Sequence, residues 1–256
     1  MRLSVIIPVY NELQTLGTVL VMVARALPSV KKEIIIVDDR STDGTCEWLR
    51  ANFPEGQRDV STVDLDENGN LVFVRAEGSP PIAIRPIYHE RNRGKGGAIQ
   101  TGFAAFTGEV LVIQDADLEY DPNDWEAMYD LIAVRQVGDV VFGSRFYGRP
   151  HRSLYFYHYL ANRLLSFMFN ALFNQTLTDI EVCYKMMTAQ VARSLGLTMD
   201  DFGIEVELSA KIARRGNLRI YETGVSYFGR SYAEGKKIVW TDGIKAFWYV
   251  LRFRFW

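Results

Sequence analysis

The sequence predicts an α/β fold with a mainly parallel central sheet and helices on both faces. Three observations lead there. Short apolar runs rich in β-branched residues recur through the first 145 residues, the pattern of strands buried on both faces. Segments of helical spacing separate them. The unusual polar residues gather at the carboxyl ends of the runs, where open α/β sheets bind ligands.

LSVIIPV (3–9) is the first run and EIIIVDD (33–39) the second. Between them, residues 12–27 place Leu16, Val19, Leu20, Val23 and Leu27 at helical spacing. STDGTCEWLRANF (41–53) reads as a turn and helix, with Ser41, Thr42 or Asp43 as N-cap. PIAIRPIYHE (81–90) carries the next strand, GKGGAIQTGFAAF (94–106) a helix and EVLVIQDAD (109–117) another strand. PNDWEAMYDLIAV (122–134) is a helix with Pro122 near its start, and DVVFGSR (139–145) a further strand. VSTVDLDENGNLVFVRA (60–76) interrupts this rhythm, and its Asn68-Gly69 pair predicts an inserted β-hairpin.

A chain of 256 residues, 48% of them hydrophobic, suffices for one large α/β domain or two small ones. A net charge of −2 argues against a protein that coats nucleic acid, so no nucleic-acid partner is expected. Cys46 and Cys183 make neither a disulfide framework nor a CxxC metal site. Cys183 reads as a small buried residue in a strand, and His89, His151 and His158 lie in unrelated segments. The N-terminal apolar run is too short for a signal peptide, so the NQT triplet (174–176) is read as chance. No stretch offers about 20 clean apolar residues for a membrane span.

VLVIQDADLEY (110–120) delivers Asp115, Asp117 and Glu119 at alternate positions after an apolar strand. Neighbouring carboxylates repel unless a cation neutralises them, and hard oxygen ligands suit Mg²⁺ or Mn²⁺. Taken alone, the pair reads as an N-cap cluster for the helix after Pro122. Asp38 and Asp39 stand at another strand end, as ligands or as parts of a capped turn. RNRGKGGA (91–98) is basic, Gly-rich and opens a helix, which suits a phosphate through backbone N–H groups and Lys95. It is neither a GxGxxG nor a GxxxxGK[ST] motif, which disfavours a dinucleotide cofactor and a P-loop.

With PVYNE, VDDRSTDGT, NRGKGGA, DAD and GSR in this order, the chain resembles a family 2 glycosyltransferase of the GT-A fold. Within that family it looks most like the polyprenyl-phosphate (dolichol-phosphate) mannosyl- and glucosyltransferases. The motifs cover residues 3–145; TDIEVCYKMM (178–187), FGIEVELSAKIARRG (202–216) and SYAEGKKIVWTDGIKAFW (231–248) extend the likeness. The resemblance implies a Mg²⁺ or Mn²⁺ ion on Asp115 and Asp117, with Glu119 as third ligand, bridging the diphosphate of a nucleotide-sugar. It implies that Pro8, Tyr10, Glu12 and Asp39 cradle nucleobase and ribose, and that Lys95 and Arg145 face phosphates. For Tyr10 plain packing, and for Arg145 an ordinary salt bridge, are the alternatives. The implied reaction is metal-dependent, inverting transfer of mannose or glucose from GDP-mannose or UDP-glucose to a polyprenyl phosphate.

The acceptor side draws on a stretch from Val140 to Thr178 with no acidic residue but with Arg145, Arg149, Arg152 and Arg163. LYFYHYLANRLLSFMFNALF (154–173) carries His158, Asn162, Ser166 and Asn170 as a polar stripe on an otherwise apolar helix. It reads as a helix in a membrane interface or against another subunit, which leaves room for a homo-oligomer, or as a core helix. The segment 231–256, beyond a catalytic domain of 1–230, combines Ile244, Phe247, Trp248 and Leu251 with Lys236, Lys237, Lys245, Arg252 and Arg254. That density of Trp, Tyr and Arg suits a membrane surface. The expectation is a cytoplasmic protein held peripherally at the inner face of the cell membrane. A phosphate acceptor needs no strong base, whereas a sugar-hydroxyl acceptor needs one, and Asp179, Glu205 and Glu207 are the candidates, with a loop cap for Asp179 and helix N-terminal carboxylates for Glu205 and Glu207 as the alternatives. A glycosyltransferase acting on a glycolipid or glycan hydroxyl is thus the alternative enzyme. A sugar-nucleotide-binding membrane scaffold is the non-enzymatic one.

Overall fold

A computed structural model describes residues 1–76, 78–153, 155–231 and 240–256. Its frame is an eight-stranded sheet in the order β10-β8-β9-β7-β1-β2-β6-β3. The strands are β1 (Leu3–Val9), β2 (Lys32–Asp38), β3 (Arg58–Val60), β6 (Ile82–Tyr88), β7 (Val110–Ile113), β8 (Val140–Ser144), β9 (Lys185–Thr188) and β10 (Ile220–Gly224). β1 pairs in parallel with β2 and β7, β2 with β6, and β8 with β10. The expected mainly parallel sheet is therefore present, with two exceptions. β9 runs antiparallel between β7 and β8, and β3 runs antiparallel at the edge. The central strands β1, β2, β7 and β8 are buried almost throughout, as their apolar runs require.

The inserted hairpin is β4 (Thr62–Leu65) with β5 (Leu71–Val74), closed over Asn68-Gly69, and β4 packs on the first helix. The helices are α1 (Leu16–Arg25), α2 (Thr45–Asn52), α3 (Gly94–Ala105), α4 (Trp125–Tyr129), α5 (Phe156–Phe173), α6 (Ala189–Ser194), α7 (Ile204–Ala213) and α8 (Trp240–Phe255).

Several boundaries differ from expectation for local reasons. The helix expected over 12–27 starts only at Leu16, because Asn11 takes a left-handed φ of 54° and locks onto the next loop. Its side chain accepts from Thr42 N (2.7 Å), and its own N–H donates to Ser41 Oγ (2.9 Å). None of the three N-cap candidates for α2 holds that position, which falls to Gly44 with a left-handed φ of 98°; Asp43, one residue before it, takes the Thr45 N–H at 3.0 Å. The helix expected over 122–134 is a 3₁₀ turn at Pro122–Asp124, then α4, then a π turn at Asp130–Val134. The strand expected to reach residue 117 ends at Ile113, which releases Asp115 and Asp117 into a loop. Cys183, expected in a strand, lies two residues before β9 and is buried.

The tail is part of the packing. α8 lies against α7 and α5, with Ala246 and Val250 buried. Tyr249 donates its hydroxyl to Asp201 (2.7 Å), and its ring lies so close to Gly203 that a Cβ there would stand 2.5 Å from it. Lys236, Lys237 and Leu154, which figured in the expected basic and apolar segments, lie outside the described residues.

Candidate active site

A cavity of about 1030 Å³ opens at the carboxyl ends of β1, β2, β7 and β8. β1 and its following turn contribute Pro8, Tyr10 and Glu12. Asp39 follows β2, Lys95 opens α3, and Asp115, Asp117 and Glu119 follow β7. Arg145 follows β8 and Glu205 opens α7. These ten sequence-derived residues share one cavity; Asp179 and Arg149 are outside its lining. Asp179 is buried beneath it, and the exposed Arg149 keeps its Nε 4.0 Å from Asp124.

The acidic loop is the electrostatic centre. Asp115 Oδ1 is 2.8 Å from Lys95 Nζ, which also stands 3.0 Å from Glu205 Oε1 without hydrogen-bond alignment. Glu205 Oε2 continues to the fully buried Lys185 at 2.6 Å. Asp117 meets Arg230 at 3.0 Å, and Arg230 also reaches Glu12 and Glu119, each at 3.4 Å. Burial first, then the neighbouring Asp115 and Glu119, push the Asp117 carboxyl up to about 7, with Arg230 opposing. Glu12, Asp117 and Glu119 share this one guanidinium, an excess of carboxylate that fits a further cation.

Among the described residues, no three His, Cys, Asp or Glu side chains converge as a ligand set. Two aspartates with phosphate oxygens still suit Mg²⁺ or Mn²⁺, which need one or two carboxylates when a substrate phosphate completes the shell. Glu119, expected as a third ligand, has other partners. It accepts from the Arg230 N–H (2.8 Å) and the Tyr227 hydroxyl (2.9 Å).

The Gly-rich start of α3 is not an open cradle of amides. Asp39 takes the N–H groups of Arg93 (2.8 Å) and Gly94 (2.7 Å), and its Oδ1 lies 2.7 Å from His89 Nδ1. Gly96 and Gly97 donate to the Asp200 carbonyl at 2.8 and 3.2 Å. A Cβ on Gly96 would lie 2.0 Å from the Met199 carbonyl, so the glycines permit a close backbone contact. What this segment offers a phosphate is the Lys95 side chain.

Among the residues expected to meet an acceptor, Arg145 forks onto Asp179 at 2.6 and 2.8 Å. With its amide oriented so that both ends are satisfied, Asn162 of α5 accepts from Arg145 (2.9 Å) and donates to Glu181 (3.3 Å). Burial pushes the Glu181 carboxyl up to about 7, against the pull of Arg145 and with a further push from Asp179. Glu207 accepts from the N–H groups of Thr198 and Met199 and pairs with Lys211 at 2.7 Å. α5 has two apolar faces. Its inner face carries the polar stripe beside core residues, with Ser166, Leu165, Phe169 and Phe173 buried and Asn170 bonded to both backbone groups of Leu177. Its outer face exposes further large apolar residues: Tyr157 is 80% and Phe167 72% exposed. The same wall of the cavity includes Phe146, Tyr155, Phe202, Phe247 and Tyr249.

Sequence reasoning missed Arg230, Tyr227, Lys185 and Glu181. The last two lie within TDIEVCYKMM, where charged residues amid an apolar run were a usable signal. Arg230 carried none, because only the chain's return past β10 brings it to Asp117.

Fold and acidic loop together define a glycosyltransferase domain of the GT-A kind. The family model described as Glycosyl transferase family 2 matches residues 4–196, and the chain belongs to that family. An undecaprenyl-phosphate mannosyltransferase of Micrococcus luteus is 26% identical over 246 residues, covering 92% of this chain and 87% of that protein. A dolichol-phosphate mannosyltransferase of Pyrococcus furiosus is 31% identical over 147 residues, 57% of this chain. The chain spans about a third of the length of that protein (34%) and of a dodecaprenyl-phosphate galacturonate synthase of Rhizobium johnstonii (36%). Among solved structures, Mycobacterium tuberculosis glucosyl-3-phosphoglycerate synthase in complex with Mn²⁺, UDP and glucosyl-3-phosphoglycerate superposes with a TM-score of 0.67. It is 17% identical, with 98% of this chain and 79% of that one covered, a likeness of fold.

Proposed function

We propose that this chain transfers a hexose, mannose or glucose, from a nucleotide-sugar to a polyprenyl phosphate, with inversion and with Mg²⁺ or Mn²⁺ bound. The observation that carries the reading is that one cavity joins the Asp115–Asp117 loop to an aromatic wall built from α5 and α8. A charged donor and an apolar-tailed acceptor would meet there. The matched relatives named for dolichol- and undecaprenyl-phosphate mannosyl transfer support the acceptor class.

Asp115 and Asp117 would hold the cation, which when bound neutralises the diphosphate and improves it as a leaving group. Lys95 stands beside Asp115 and would add positive charge at the departing phosphate. An oxygen of the lipid phosphate attacks the anomeric carbon as the bond to the nucleoside diphosphate breaks, so the configuration inverts. That nucleophile is mostly dianionic near neutrality, its second pKa being about 6, and needs no strong base. The sequence-derived bases are otherwise engaged: Asp179 by Arg145, Glu205 by Lys95 and Lys185, Glu207 by Lys211 and two amides.

The exposed residues of α5 and α8, with Arg252 and Arg254 in the last turn of α8, fit an anionic membrane surface. Among the described residues no helix is long and apolar enough to cross a membrane. A hydroxyl acceptor is the second reading, and one observation favours it. Glu181 lines the cavity with its carboxyl near 7, a value suited to a general base.

The test is a screen of GDP- and UDP-sugars against polyprenyl phosphate, with and without EDTA. The expected result is transfer from one donor, lost in EDTA and restored by Mg²⁺ or Mn²⁺. Transfer confined to hydroxyl acceptors would overturn the lipid-phosphate reading.

A further inference from the structure

Arg230 occupies the place where a cation is wanted. Its guanidinium lies 3.0 Å from Asp117 and 3.4 Å from both Glu12 and Glu119. Asp117 and Glu119 side chains are each only 13% exposed, so their mutual repulsion is poorly screened by water. The backbone that carries Arg230 is pinned to the acidic loop. Phe228 N donates to the Glu119 carbonyl and Arg230 N to its carboxylate, both at 2.8 Å. The movable part is therefore the side chain, a long stem ending in a permanent charge.

We infer that Arg230 is a resident counter-cation that holds the metal site against free divalent ions and gives it up when a nucleotide diphosphate arrives with the metal. This rests on the metal-dependent donor reading above. A divalent ion held by Asp117 would bring a charge that repels the guanidinium already hydrogen-bonded there. Metal alone must therefore break the Arg230 contacts with no new anion to compensate. A diphosphate adds negative charge that accommodates both cations. Metal and nucleotide should consequently bind with strong positive coupling, and by reciprocity each raises the affinity for the other.

The experiment measures free Mn²⁺ by electron paramagnetic resonance during titration of the full chain, with and without UDP and GDP. It compares the parent with Arg230→Gln, both checked for folding by circular dichroism. The expected result is weak Mn²⁺ binding by the parent alone and about tenfold or tighter binding by Arg230→Gln alone, the scale of a close charge pair. The nucleotide-induced gain should shrink in the variant. If Arg230→Gln does not fold, Arg230→Lys serves, its shorter donor set releasing Mn²⁺ affinity by about threefold. Unchanged or weaker Mn²⁺ affinity in the folded variant, with nucleotide-dependent Mn²⁺ binding intact in the parent, overturns this inference alone. No Mn²⁺ binding by the parent under any condition overturns the metal-dependent reading and this inference with it.

Discussion

Arg145 and Asp179 form a two-pronged ion pair at 2.6 and 2.8 Å, with Asp179 fully buried. The arginine expected to face a phosphate and the carboxylate considered as a base are thus each other's partners. Removing one charge strands the other, which typically costs about 3–5 kcal/mol. Arg145→Ala is expected to lose about that much stability. The double variant Arg145→Met/Asp179→Leu should lose less than Arg145→Ala alone. Urea unfolding of the three proteins is the measurement, and equal loss in single and double variants would contradict the pairing argument. Arg145→Lys, which keeps a charge, is the better probe of activity.

Asp117→Asn is expected to remain folded, because the amide relieves repulsion from Asp115 and Glu119. Transfer should fall by about 10²-fold or more, since Lewis-acid stabilisation of a leaving diphosphate is worth several kcal/mol. Initial rates at saturating Mg²⁺ decide the matter, and a fully active variant would remove Asp117 from the metal site.

Glu181 links pH to both stability and mechanism. Its folded carboxyl sits near 7 against an ordinary 4.5, so the folded state holds a proton the unfolded state has released. Stability from this group is therefore full below about pH 4.5 and declines as pH rises to about 7. Glu181→Gln should gain on the parent by about 1–3 kcal/mol between pH 4.5 and 8. With polyprenyl phosphate its rate should stay within about tenfold of the parent. Loss of a true general base would cost about 10²–10⁴-fold. A dead, folded Glu181→Gln whose parent rate rises through pH 7 would transfer the argument to a hydroxyl acceptor.

Replacing the exposed Phe167 and Trp248 by Ser should weaken co-sedimentation with anionic vesicles by about tenfold, through lost apolar contact. High salt should weaken the parent further by screening Arg252 and Arg254. Vesicle binding equal to that of the parent at both salt concentrations would assign these faces to another partner.

The central strands were legible because their burial on both faces writes itself as continuous apolar runs. The hairpin was legible because Asn68-Gly69 admits a turn that few other pairs do. The direction of β9 was not, because a four-residue buried strand reads the same both ways. The ring of site residues at strand ends could be read from spacing, yet their present partners could not. Lys95 with Glu205 and Asp117 with Arg230 join positions more than 100 apart, and only the topology brings them together. What the polar stripe of α5 touches could not be read from spacing. Its Ser166 and Asn170 serve the backbone of the loop at Leu177 and Ile180.

The family match ends at residue 196, but the Asp200 carbonyl that receives Gly96 and Gly97 comes four residues later. Glu205, which holds Lys95, follows nine residues after the match, and β10 completes the sheet edge beside β8. The recognisable homology unit is accordingly smaller than the load-sharing unit. Anyone grafting this donor half onto a different acceptor half would have to carry the 197–230 stretch with it. On the function proposed above, donor and acceptor preferences would not be independently exchangeable parts, because the backbone after residue 196 buttresses the start of α3 and Lys95.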